Sequence, residues 1–276
     1  MILDKFKISG NIVLITGGAG LLGRKHAEAV IEGEGIPILL DISDEALGQA
    51  KDSLLKKYVD AEVGIYKADI TNYDALMDIK CKILEKYGHI DVLINNAANN
   101  PKVEDKGKNF GNIRFDNFPI ETWNADIMVG LTGAFLCAQV FGAVMEEQRS
   151  GVILNISSDL GIIAPGQRIY RKDGLAERDQ PIKPVTYSVI KHGLLGLTKY
   201  LATYWADKNI RVNAICPGGI YNGQDEEFLG KLTNLIPMGR MANQDEYKAT
   251  VLYLISKASS YMTGATVIVD GGRTCW

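Results

Sequence analysis

The chain has 276 residues, of which 46% are hydrophobic and 23% charged, and its formal net charge at pH 7 is −3. This composition excludes an intrinsically disordered chain, because it is rich enough in apolar residues to bury a sizeable core. The weak negative charge argues against a general nucleic-acid-binding protein, which would need a clustered basic field. The length suits one α/β domain, so we expect a single domain over residues 1–276.

Short apolar runs alternate along the chain with longer segments of helical periodicity. The predicted strands cover residues 12–15, 36–40, 63–66, 90–94, 152–156, 212–215 and 267–269. The predicted helices cover residues 22–32, 43–58, 71–87, 120–148, 187–206 and 244–257. This alternation predicts right-handed crossovers and a doubly wound parallel sheet, the Rossmann fold, in a single α/β domain.

The cysteines and histidines form no ligand pattern. They are scattered, without a Cys-x-x-Cys pair, at Cys81, Cys137, Cys216, Cys275, His26, His89 and His192. We therefore predict reduced, mostly buried cysteines and no metal site. Because the first residues also lack the basic-then-apolar layout of a signal peptide, we expect a cytoplasmic protein.

One stretch, Ile127–Met145, is uncharged and nearly as long as a membrane span. It contains three glycines and two polar side chains, and the rest of the chain alternates like a soluble α/β protein. We therefore expect no membrane insertion, and a helix that is buried on most sides, partly at a subunit interface.

A glycine-rich turn, residues 16–23, directly follows the first strand and opens the first helix. Glycines let the backbone turn tightly and approach a pyrophosphate, and the helix N-terminus offers unpaired N–H groups and a positive dipole end. In this strand–turn–helix context the segment predicts a dinucleotide site. The turn residues assigned to it are Gly17, Gly20, Leu22 and Gly23.

Asp41 lies at the end of the second predicted strand. A carboxylate there accepts hydrogen bonds from both adenosine ribose hydroxyls and repels a 2′-phosphate, which predicts NAD rather than NADP. No lysine or arginine follows until Lys51, in agreement with that prediction. The alternative is that Asp41 is a helix N-cap or an exposed turn residue.

Further motifs follow in a fixed order. They are Ala68-Asp69-Ile70, Asn95-Asn96-Ala97-Ala98, Asn155-Ile156-Ser157-Ser158, Tyr187-Ser188-Val189-Ile190-Lys191, Arg211–Ile220 and the ending Tyr261–Gly272. With these motifs the sequence closely resembles the short branch of the short-chain dehydrogenase/reductase family over nearly its whole length. The resemblance implies an NAD-dependent oxidoreductase that interconverts an alcohol and a carbonyl of a small-molecule substrate and forms a homodimer or homotetramer.

The resemblance also implies a catalytic set of Ser158, Tyr187 and Lys191. Alcohol oxidation needs a base, and tyrosine with an ordinary pKa of about 10 is too weak a base at pH 7. A lysine ammonium about 4 Å away would lower the tyrosine pKa by about three units at an effective dielectric constant of about 20. Tyr187 and Lys191 share one helix face because they are four residues apart, and Ser158 would stabilise the charge that develops on the substrate oxygen.

Other cofactor contacts are implied by the resemblance alone. Asp69 would bind the adenine amino group, Lys191 the nicotinamide ribose, and the backbone of Ile220 the nicotinamide carboxamide. Asn222 stands where the family often has a threonine. The full additional set is Asp69, Ile70, Asn96, Ala97, Tyr187, Lys191, Pro217, Gly218, Ile220 and Asn222.

Two departures from the family pattern leave alternatives open. The spacing of Gly17, Gly20 and Gly23 resembles that of a longer branch containing nucleotide-sugar epimerases and dehydratases, which favours an NAD-retaining enzyme of that kind. Gly130 stands where many members have an asparagine that holds a relay water, which favours a non-catalytic NAD-binding relative. We retain both as alternatives to the dehydrogenase.

Two long irregular segments, residues 99–119 and 163–184, are predicted insertions near the carboxyl ends of strands, where the ligand crevice of such a sheet lies. Their basic residues are Lys102, Lys106, Lys108, Arg114, Arg168, Arg171, Lys172, Arg178 and Lys183. A basic rim there would hold a phosphate or carboxylate, as in a phosphorylated or nucleotide-linked sugar. Acidic residues in the same segments leave ordinary solvated loops as the alternative.

Overall fold

The computed structural model describes residues 1–99 and 114–276. Within these residues, seven strands pair in parallel in the order β3-β2-β1-β4-β5-β6-β7. They are β1 Ile12–Thr16, β2 Ile36–Asp41, β3 Gly64–Lys67, β4 Val92–Asn95, β5 Gly151–Ile156, β6 Ile210–Pro217 and β7 Thr266–Val269. The prediction of a single-domain, doubly wound parallel sheet is confirmed.

The helices that follow the strands are close to the predicted ones. They are α1 Leu21–Glu32, α2 Asp44–Lys57, α3 Tyr73–Tyr87, α4 Ile120–Ile127, α5 Gly133–Gln148, α6 Val185–Tyr204, α7 Glu226–Thr233 and α8 Lys248–Ile255. Helix α7 was not predicted from the sequence, although Asp225 caps it by accepting a hydrogen bond from the Phe228 N–H at 2.8 Å. An acidic N-cap before an apolar periodic run is a recognisable helix start.

The sheet has an apolar core on each face because successive strand residues point to opposite sides. In β1, Ile12 and Leu14 join a cluster that includes Phe141 of α5. Val13 and Ile15 join a second cluster with residues of α1, α2 and α8. A strand covered on both faces accounts for the continuous apolar run of β1.

The predicted helix over residues 120–148 is interrupted by a π-helical turn at Met128–Thr132, between α4 and α5. By length and composition alone this helix would be able to cross a membrane, but half of its most apolar window is buried within the molecule. Gly142 brings α5 close to α6, because a Cβ there would lie 2.3 Å from Cη2 of Trp205. The helix is therefore built into the core of this fold.

Leu194 and Leu201 of α6 are buried inside their own chain, so neither is available for a contact between subunits. Their side chains join the clusters beneath α5 and α6. The exposed apolar residues of these two helices are different ones, including Phe135, Tyr200 and Tyr204.

Within the insertion at 163–184, the side-chain amide of Gln180 ties part of the loop together. Gln180 accepts a hydrogen bond from Lys172 N at 2.8 Å and donates to the carbonyls of Lys172 and Leu175 at 2.9 and 2.8 Å. Tyr170 stacks on Phe228 of α7 with ring centroids 5.5 Å apart. The other predicted insertion is described only at its edges, so the basic residues assigned there lie outside the described residues, apart from Arg114. Those outside are Lys102, Lys106 and Lys108.

Candidate active site

The glycine turn needs its glycines for two different reasons. Gly17 has a φ of +61°, and a Cβ there would lie 2.9 Å from the Cα of Ala97. At Gly23 a Cβ would lie 2.2 Å from the carbonyl oxygen of Gly17, so this glycine lets α1 begin against the turn. Gly20 is the N-cap of α1, and Leu22 lies in its first turn. The resulting cradle at a helix N-terminus fits a dinucleotide pyrophosphate.

Asn96 braces the same turn from the end of β4. Its Nδ2 donates to the carbonyls of Thr16 and Gly17 at 2.9 and 3.1 Å. The hydroxyl of Thr16 in turn accepts from the N–H groups of Asn96 and Ala97 at 2.9 and 3.0 Å. Asn96 and Thr16 therefore shape the glycine turn through their backbone and side-chain hydrogen bonds.

The carboxylate of Asp41 is held beside the turn, at the end of β2. It accepts hydrogen bonds from the N–H of Ala19 at 3.2 Å and of Ser43 at 3.3 Å. The N-cap of α2 is Ser43, whose hydroxyl accepts from the Ala46 N–H at 3.2 Å. The alternative that Asp41 is the helix N-cap is therefore wrong, and its carboxylate lies beside the glycine turn at the carboxyl end of β2.

The remaining cofactor residues predicted from the sequence lie at the carboxyl ends of β3 and β6. Asp69 is exposed and accepts from Thr71, next to the buried Ile70. The backbone at Gly218, directly after Pro217, is tightly packed, because a Cβ there would lie 2.8 Å from the Cα of Asp270. Gln224 fixes the loop beyond by bonding the carbonyl of Ile220 and the N–H of Asn222 at 3.0 and 2.8 Å.

The structure brings Ser158, Tyr187 and Lys191 together between the end of β5 and the first turns of α6. Ser158 and Lys191 are buried, and the hydroxyl of Ser158 lies near enough to the Tyr187 phenol to lower its pKa. The ammonium of Lys191 donates to the carbonyl of Ile156 at 2.8 Å and lies 5.7 Å from the centre of the Tyr187 ring. The long insertion in sequence between Ser158 and Tyr187 does not separate them in space.

The electrostatics of this site differ from the expectation that Lys191 alone brings Tyr187 near neutrality. Burial raises the pKa of the Tyr187 phenol; the hydrogen bond with Ser158 lowers this pKa and the charge of Asp159 raises it. Burial also lowers the pKa of Lys191, to about 8, and the nearby Lys183 lowers it as well.

A buried ion pair behind Ser158 was missed by the sequence analysis. Arg273 Nη1 lies 2.7 Å from Asp159 Oδ2, with both side chains less than a tenth exposed. The other oxygen of Asp159 accepts a hydrogen bond from the hydroxyl of Ser158 at 2.7 Å. No local pattern indicates this pair, because only the fold brings the C-terminal segment back to β5.

Gly130, which stands at the expected asparagine position, is packed against α6. A Cβ there would lie 2.7 Å from Cγ2 of Ile190, one residue before Lys191. A side chain at position 130 therefore has no room unless Ile190 moves.

Comparisons with known proteins identify the family of the chain. A family model described as short chain dehydrogenase matches residues 11–171, and one described as enoyl-(acyl carrier protein) reductase matches residues 175–274. The chain is 34% identical to the 3-oxoacyl-(acyl-carrier-protein) reductase FabG of Thermotoga maritima, over 96% of this chain and 98% of that protein. It is 32% identical to the NADP-dependent mannitol dehydrogenase of Alternaria alternata, over 98% of this chain and 94% of that protein.

A solved structure of NAD+-bound xylitol dehydrogenase aligns with a TM-score of 0.80 at 26% identity, covering 96% of this chain and 100% of that chain. The chain belongs to the short-chain dehydrogenase/reductase family. It is accordingly an oxidoreductase of the alcohol/carbonyl class with a nicotinamide cofactor. The similar proteins include NADP-dependent and NAD-bound ones, and the epimerase alternative is not favoured.

Proposed function

We propose that this enzyme interconverts an alcohol and a carbonyl of a sugar or polyol with NAD as its cofactor. The observation that carries the proposal is the meeting of Ser158, Tyr187 and Lys191 at the carboxyl edge of the parallel sheet, the same edge that carries the glycine turn and Asp41. When bound, NAD supplies the hydride acceptor. Tyr187 takes the hydroxyl proton, Ser158 holds the reacting oxygen, and Lys191, anchored on the Ile156 carbonyl, supplies positive charge near the phenol.

The preference for NAD is argued from Asp41. Its carboxylate is fixed by two backbone N–H groups beside the turn, and a 2′-phosphate there would meet a like charge. Because such a juxtaposition costs several kcal/mol, we expect kcat/KM with NAD to exceed that with NADP on the order of a hundredfold. Asp41→Asn removes the charge at nearly constant shape and should narrow this ratio.

A sugar or polyol is favoured over a strongly anionic substrate. Three cations of the described rim are paired with acids in their own segments: Arg114 with Asp116, Arg171 with Glu177, and Arg178 with Asp179. Pairing at the surface leaves less net charge to hold a phosphate. The relatives named as mannitol and xylitol dehydrogenases support the same substrate class.

The test is a screen of polyols, sugars, sugar phosphates and hydroxy acids with NAD and with NADP, following formation of the reduced cofactor. We expect stoichiometric NADH from a polyol or sugar. Turnover without net NADH would support an epimerase or dehydratase, and equal use of NADP would contradict the role of Asp41. We also expect a cytoplasmic homo-oligomer that does not insert into membranes.

A further inference from the structure

A second lysine lies on the face of the Tyr187 ring. Lys183 Nζ is 3.9 Å from the ring centre, closer than the 5.7 Å of Lys191. Lys183 belongs to the 163–184 insertion and precedes Tyr187 by four residues. A cation in this position is attracted by the π electrons of the ring, and more strongly once the ring carries phenolate charge.

The insertion holds Lys183 in place by its backbone. The Lys183 N–H donates to Oε1 of Gln167 at 2.9 Å, and the Lys183 carbonyl accepts from Nε2 of the same amide at 3.3 Å. Pro184 follows as the N-cap residue of α6. The backbone of Lys183 is therefore held by Gln167 and by the start of α6. This fixes the position from which its side chain extends.

The charged groups near the Tyr187 ring leave the Lys183 side chain positively charged. The ionisable groups that act on Tyr187 and its two lysines include Asp159, just after β5, Cys216 in β6 and the lysines themselves. Asp159 is already paired with Arg273 at 2.7 Å. Burial lowers the pKa of Lys183 to about 8 while Asp159 raises it, so its ammonium persists at neutral pH.

We propose that Lys183 is a positioning residue whose ammonium stabilises the phenolate of Tyr187 from the face of its ring. The inference rests on the proposed function, in which Tyr187 accepts the proton. In alcohol oxidation the hydroxyl proton would move to the phenolate oxygen of Tyr187, and the hydrogen on the same carbon would leave as a hydride, for which bound NAD would be the acceptor, so that the C–O bond becomes a carbonyl. Lys183 neither gains nor loses a proton in this step.

The test compares Lys183→Met and Lys183→Gln, which remove the charge, with Lys183→Arg, which keeps it. Lys172→Met is the matched control, because Lys172 is an exposed lysine of the same insertion. The phenolate of Tyr187 is titrated by its ultraviolet absorbance in the NAD complex. For each variant, the spectrum of the same variant carrying Tyr187→Phe is subtracted, so that only the Tyr187 signal remains. The acid limb of kcat for alcohol oxidation is measured in parallel on the best polyol or sugar.

We expect the neutral variants to move the Tyr187 titration and the acid limb of kcat upward by about one to three pH units, the usual effect of an opposite charge within 4–6 Å. Lys183→Arg should restore both, and Lys172→Met should change neither. An unshifted titration in a folded neutral variant would overturn the proposal, as would a raised KM for anionic substrates with an unchanged pH profile. If no alcohol is oxidised, the titration still tests Lys183 while the proposed function fails separately.

Discussion

Gly130 is required by the side chain it touches and not by its backbone conformation. Because a Cβ would lie 2.7 Å from Cγ2 of Ile190, we predict that Gly130→Ala overpacks the contact between the π-helical turn and α6. The loss in free energy of unfolding should be about 1–3 kcal/mol, measured by urea denaturation.

The control for this prediction is made in an Ile190→Ala background, where the space is vacated. There the added methyl should be neutral or stabilising. An equal loss in both backgrounds would show that Ile190 is not the reason for the glycine. This contact also bears on the alternative of a non-catalytic relative. Because packing against Ile190 accounts for Gly130, the glycine is not by itself a sign of lost catalysis.

Breaking the buried ion pair between Arg273 and Asp159 should lower both the stability and the activity of the enzyme. Arg273→Met leaves the buried Asp159 carboxylate without its partner, so we predict a loss of about 3–5 kcal/mol in stability. Because Asp159 also accepts the hydroxyl of Ser158, kcat should fall in the same variant.

The double variant Arg273→Met/Asp159→Asn separates the two effects. Removing the stranded charge should recover much of the stability, measured by the same denaturation. Activity should recover only in part, because the asparagine amide oxygen can still accept the hydroxyl of Ser158 but carries no charge. Additive losses from the two single substitutions would contradict a buried, coupled pair.

At the scale of elements, the turn from β1 to α1 depends on a close approach of backbone to backbone. A Cβ at Gly23 would lie 2.2 Å from the Gly17 carbonyl oxygen. We predict that Gly23→Ala displaces the start of α1 and weakens NAD binding at least tenfold, which is about 1.4 kcal/mol. Isothermal titration with NAD measures this loss.

Gly48, in α2, is the matched control, since a Cβ there has nothing within 4 Å. Gly48→Ala should leave NAD binding unchanged and stabilise the protein by about 0.5–1 kcal/mol, because alanine favours a helix. Wild-type NAD affinity in Gly23→Ala would show that the turn tolerates the displacement.

The elements also show how far sequence reasoning reaches. Strand and helix positions were predicted closely, as at β1 and the Ser43 cap, because local periodicity and capping determine them. The π-helical turn at Met128–Thr132 was not predicted, since no local pattern in these residues marks it. Ser158, Tyr187 and Lys191 were recognised as an ordered motif set, whereas Arg273 and the ring contact of Lys183 depend on tertiary placement.

At the scale of the whole molecule, we expect subunits to associate through α5 and α6. Phe135, Tyr200 and Tyr204 are 47, 64 and 58% exposed on these helices, an unusual exposure for large aromatic side chains. Sedimentation at micromolar concentration should give a homodimer or homotetramer. Tyr200→Lys/Tyr204→Lys should shift it toward the monomer, whereas Tyr261→Lys, on an exposed turn, should not. A monomeric wild-type protein would contradict this expectation.

The most direct test of the whole account is NADH formation by Tyr187→Phe, which keeps the ring but removes the group that accepts the proton. On a polyol or sugar that the wild type oxidises, we predict a fall in kcat of about 10²–10⁴-fold with NAD binding retained. Tyr200→Phe, on the same helix, should behave as the wild type. Undiminished NADH formation by Tyr187→Phe would contradict the assignment of Tyr187 as the proton acceptor.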